Sequence, residues 1–132
     1  MPPLPWPAVV VAAVAYFVLG GLWYAVFGKA WLAALGKTRA DINPKDPKPY
    51  LMAAVGSLVN AAALAWLIQA VPACETVTQC AALGAFVGIG AVLAAAAKHY
   101  AFSGWPARLL LIDLGLDVMG FTAMGLVIGR LR

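Results

Sequence analysis

Apolar residues in this chain do not alternate with polar ones. They come in four long runs, about Ala8–Phe27, Pro49–Val71, Thr78–Phe102 and Ala107–Gly129. Each run holds the roughly 20 mostly apolar residues that a helix needs to cross a bilayer. Alternation at a period of two, the mark of a barrel strand, is absent, so helix is the spanning form left. No run carries the polar stripe that a soluble helix turns to water. The pattern predicts an all-α fold: an integral membrane four-helix bundle, forming one transmembrane domain over residues 1–132.

The only long polar segment is residues 28–48, between the first two runs. Within it, "GKAWLAALGK" spaces Trp31, Leu32 and Leu35 for a short helix lying in the membrane interface after the first span. Thr38-x-x-Asp41 has capping-box spacing. The three prolines of "NPKDPKP" then prevent helix from continuing. The first run is not expected to be a removable signal, because "MPPLPWP" has no basic residue and the apolar stretch is too long.

Composition strengthens this picture. Of the 132 residues, 64% are hydrophobic and 11% charged, against about 45–50% and about 25% in soluble domains. A chain this short has no soluble core large enough to hide so much apolar surface. The net charge of +4 is read loop by loop rather than as a nucleic-acid footprint. Lys29, Lys37, Arg39, Lys45 and Lys48 lie in the first connection, and Lys98 and Arg108 flank the third. The second connection has only Glu75. Basic loops face the cytoplasm, so both termini are expected outside, in a bacterial inner (plasma) membrane, against the opposing Arg130 and Arg132. Trp6 and Trp66 then fall at outer ends, and Trp23, Tyr24, Tyr50, Tyr100 and Trp105 at inner ends, as interface anchors. The bilayer is the first partner, and the basic segment can also meet anionic headgroups.

Cys74 and Cys80 share the outer connection, where a disulfide would persist. Their spacing permits a bridge without requiring one. Small residues supply close helix contacts: Gly84 and Gly88 in the third run, Gly125 and Gly129 in the fourth, Ala54, Ser57, Ala61 and Ala65 in the second. So many small faces predict self-association, or packing against a partner membrane subunit.

Candidate chemistry centres on "LLLIDLGLDVMGF", Leu109–Phe121. An aspartate at mid-span costs about 2.5–3.5 kcal/mol, and this helix has two, Asp113 and Asp117. Its eleven Leu, Ile, Val and Phe side chains return a comparable amount, so the helix needs partners. Four residues apart, the aspartates share a face, about 6 Å apart along the axis. Two ionised carboxylates would repel there, so at least one is expected to hold a proton. Counting depth along antiparallel helices places Lys98 within reach of Asp113, with His99 nearer the inner surface. The same count puts Asn60 and Tyr16 level with Asp117. The cluster reads either as polar glue fixing helix register or as a proton or cation pathway.

A metal site from His99 and Asp113 lacks a ligand-rich motif, so none is expected. No HExxH, GxSxG or CxxC occurs and there is one histidine, so neither an enzyme nor a cofactor is expected.

The segments "LGGLWYAVFGKAWLAALGK" and "YAFSGWPARLLLIDLGLDVMGFTAMGLVIG", around a polar inner loop, resemble the small integral membrane family called domain of unknown function 1761. The resemblance covers nearly the whole chain and is most specific at Gly20–Gly36 and Phe102–Gly129. It implies the same membrane topology and no particular activity. The functional hypothesis drawn from the carboxylate pair is a transporter or channel for protons or a small cation, with a non-catalytic accessory subunit of a larger membrane complex as the alternative.

Overall fold

The computed structural model describes residues 2–132. Four helices are long and apolar enough to cross a membrane: α1 (Trp6–Leu35), α2 (Lys48–Ala70), α3 (Val77–Phe102) and α4 (Ala107–Leu131). No strand occurs among the described residues. The chain is an all-α, multi-pass membrane protein.

Helix boundaries follow local chemistry. Prolines sit in the first turn of α1 and α2, where their missing N–H is no loss. Thr76 and Gln79 cap the start of α3 reciprocally. α1 ends at Gly36, whose φ of 68° is the left-handed conformation glycine adopts freely. There the Gly36 N–H donates to Ala33 O (3.1 Å) and the Lys37 N–H to Leu32 O (3.0 Å), a Schellman stop. Gly104, φ 70°, makes the tight turn from α3 into α4.

The first span differs from expectation in one respect. "GKAWLAAL" does not form a separate surface helix but continues α1 to a length of 30 residues. Nothing between Gly28 and Trp31 breaks a helix, and two aromatic contacts carry it through. Trp23 packs on Phe27 at 4.8 Å, and Tyr24 meets Trp31 edge-on at 5.6 Å. At about 45 Å, α1 exceeds the roughly 30 Å hydrocarbon core and reaches into the headgroup layer. Thr38 and Asp41 do form the capping box, around a 3-10 turn at Arg39–Asp41.

The basic loop and the α3–α4 turn lie at one end of the bundle, called here the basic side. Pro3, Arg132 and Cys74–Cys80 lie at the other, the disulfide side. Gln69 Nε2 donates to Pro3 O (3.5 Å) and the Arg132 guanidinium to Cys74 O there.

Packing is inside out relative to a soluble bundle. Ala8, Ala12, Ala13, Ala61 and Ala65 are buried, whereas Val26, Met52 and Phe86 are largely exposed, ready for lipid. The larger core side chains, among them Val9, Leu64, Ile68, Met124 and Ile128, fill the disulfide-side half. α4 is the hub: 44% of its most apolar window is buried, against 17% in α1 and α3. Its contact with α3 is backbone-close. A Cβ on Gly84 would collide with the Phe121 carbonyl, and one on Gly125 with the Cys80 carbonyl. One on Gly88 would lie 2.9 Å from Val118 Cα, and one on Gly129 2.8 Å from Cys80 Cβ. The glycines of each helix thus receive the other.

Gly88–Leu93 of α3 is a π-helical segment. It carries one residue more per turn than its surroundings, so it rotates everything after it.

Candidate functional site

Asp113 and Asp117 occupy the face of α4 turned toward α1. Both are half-buried. Asp117 accepts the Tyr16 hydroxyl. Asp113 accepts two hydroxyls, Tyr24 at 2.6 Å through Oδ1 and Tyr100 at 2.8 Å through Oδ2. α1 supplies Tyr16 and Tyr24, eight residues apart and so roughly two turns along one face. α3 supplies Tyr100. Between the two carboxylates, Trp23 Nε1 donates to Ile112 O at 2.9 Å. Its ring lies over Gly115, where a Cβ would be 3.1 Å away. The Tyr16 ring occupies the space a Cβ on Gly120 would need.

Several expected partners lie elsewhere. Lys98 and His99 are exposed, and neither bonds to an aspartate. The π segment explains this. Eleven residues make about three α-helical turns, so an unbroken helix would align His99 with Gly88 on the α4-facing side. The extra residue moves Tyr100 into that position instead. Asn60 is half-buried beside Tyr16 but bonds to neither carboxylate; it lines a cavity between α1 and α2. Tyr24 and Tyr100, which the sequence places as interface anchors, are turned onto Asp113. The signal for Tyr24 was its two-turn spacing from Tyr16.

A model of the protein family of unknown function DUF1761 matches residues 7–129. This chain belongs to that family. No curated protein and no solved structure matches the chain. The DUF1761 match takes in all five members of the aspartate–tyrosine cluster, so the cluster lies within the family domain.

The cavity of this DUF1761 chain measures about 910 Å³. Tyr16 and Tyr24 form part of its wall, with Asn60 deep and Arg39 at the basic-side rim. The two tyrosines therefore stand between the cavity and the carboxylates. Toward the disulfide side the large core side chains fill the bundle.

No ion pair forms to Asp113 or Asp117 among the described residues; their partners are neutral hydroxyls. Hydroxyl donors favour an ionised carboxylate but do not cancel its charge. Any negative charge here is left to a proton or an external cation. Among the described residues no three His, Cys, Asp or Glu side chains gather as metal ligands would. At the far end Cys74 and Cys80 are joined in a disulfide, with Cα atoms 5.3 Å apart.

Proposed function

We propose that this protein binds and moves protons or a small cation across a bacterial inner membrane, with Asp113 and Asp117 as the exchanging groups. The observation that carries this reading is the pair of intramembrane carboxylates held only by tyrosine hydroxyls. A charge without a basic partner is expensive in lipid, so each carboxylate favours capture of a proton or cation. Tyr16 and Tyr24 bring the donor network to the cavity, the route from the basic side. The packed half toward the disulfide closes the other side, as an alternating-access site requires.

Orientation rests on two features at opposite ends. The basic loop favours the cytoplasmic face, and the disulfide favours the oxidising face. Both termini then lie outside. The accessory-subunit reading loses some of its motivation, because Gly84, Gly88, Gly125 and Gly129 are used within the chain.

The test is flux in proteoliposomes, comparing the natural chain with Asp113→Asn combined with Asp117→Asn, while following oligomeric state. Proton or cation flux lost in the double variant supports the proposal. Absence of flux from both, with assembly lost in the variant, supports the accessory role.

A further inference from the structure

The same cavity that gives the route to Tyr16 and Tyr24 is shaped for an occupant from the leaflet, which closes that route while bound. Its volume of about 910 Å³ lies within the roughly 300–1,000 Å³ of ligand pockets. Its floor is made by glycines of both helices. A Cβ on Gly21, Gly28 or Gly56 would meet nothing within 4 Å. These glycines do not bring helices together, unlike those of the α3–α4 contact; they leave space. Phe17 lines the same cavity and is 40% exposed, so the gap opens sideways toward lipid.

The rim has a different chemistry. Trp31 lines the cavity. Arg39 stands on the same rim, in the short turn fixed by the Thr38–Asp41 capping box. Ile42 and Pro44 of the loop line the cavity as well. Lys29, Lys37, Lys45 and Lys48 flank it and make this end strongly positive, which attracts anionic headgroups.

An apolar, laterally open space below a guanidinium and a cluster of lysines matches one kind of occupant. We propose that the cavity between α1 and α2 binds one anionic phospholipid of the surrounding leaflet. Its headgroup oxygens meet Arg39, and its chains lie on the glycine floor.

The test uses the full chain, purified and stripped of lipid, with phosphatidylglycerol and phosphatidylcholine of identical chains as probes. Bound lipid is counted by native mass spectrometry, with helicity and melting temperature measured for every variant. The natural chain should retain one phosphatidylglycerol about fivefold more tightly than phosphatidylcholine, the factor one juxtamembrane basic residue contributes. Arg39→Gln, at an exposed rim position, should erase that preference. Gly56→Leu and Gly21→Leu each extend into open space and should block both lipids while the helices still form. Equal retention of the two lipids by the natural chain overturns the proposal. So does phosphatidylglycerol bound as tightly by folded Gly56→Leu or Gly21→Leu as by the natural chain.

Discussion

Tyr16 reaches across the α1–α4 contact and donates its hydroxyl to Asp117. It is the only hydrogen-bond donor to that carboxylate among the described residues, whereas Asp113 has two. The difference makes the two sites unequal. Tyr16→Phe leaves Asp117 without a partner and should destabilise the bundle by about 1–3 kcal/mol, the cost of an unsatisfied buried polar group. Tyr24→Phe or Tyr100→Phe alone leaves a second donor and should cost nearer 0.6 kcal/mol, roughly the average for a hydrogen bond between membrane helices. The Tyr24→Phe, Tyr100→Phe double variant should lose more than the two single losses together. Thermal unfolding in detergent ranks the four variants, and equal effects would contradict the geometry.

Gly120 sets the position of the Tyr16 ring. A Cβ there would overlap the ring, so Gly120→Ala should push Tyr16 off Asp117 and cost about 1–3 kcal/mol as an overpacked contact. Gly56→Ala is the matched control, because a Cβ at Gly56 meets nothing within 4 Å. Melting temperatures should separate the two clearly.

The α3–α4 contact is stricter, because the obstacle is backbone. Gly84→Leu and Gly125→Leu place side chains against the Phe121 and Cys80 carbonyls. Both should prevent native helix packing. Far-UV dichroism would show helices retained, while near-UV signals and protease resistance are lost. Native-like protease resistance in either variant would contradict this contact.

Much of this architecture can be read from residue order. Four apolar runs of spanning length, with turn residues between them, leave little choice of fold. The spacing of Asp113 and Asp117 places both on one helix face, and counting depth along antiparallel helices sets Tyr16 beside Asp117. The partners of Asp113 were hidden for a physical reason. Regular α-helical spacing aligns His99 with Gly88, and only the π segment exchanges it for Tyr100. Whether a glycine-rich stretch such as "GIGAVL" takes π form depends on what packs against it. Here the Gly88 side meets Val118 of α4, a long-range contact that local pattern does not contain. The continuation of α1 beyond Gly28 was concealed similarly, because "GKAW" suits a surface helix and a prolonged spanning helix equally.

The capping box gives a pH prediction outside the membrane. The Thr38 backbone N–H (2.8 Å) and hydroxyl (3.2 Å) both donate to Asp41 Oδ2. They hold its carboxyl below the usual carboxylate range, the backbone bond more than the hydroxyl. A lowered folded value means that the cap's contribution is complete above the ordinary aspartate value of about 4. It is lost as pH falls through the lower folded value. The Thr38 amide signal in an NMR pH titration should therefore shift with a midpoint below the ordinary aspartate value of about 4. Titration at or above the ordinary value would remove the capping bond from the account.

If Asp113 and Asp117 are the exchanging groups of the proposed function, they hold an exchangeable proton or cation rather than a fixed structural one. Infrared difference spectroscopy of the reconstituted protein addresses it most directly, with Asp113→Asn and Asp117→Asn used to assign the carboxyl bands. Bands from these two residues should change when pH or cation concentration is altered on the basic side of the membrane. Carboxyl bands that belong to these residues and stay fixed across the whole range would contradict the proposed function, and would make the cluster a structural joint between α1, α3 and α4.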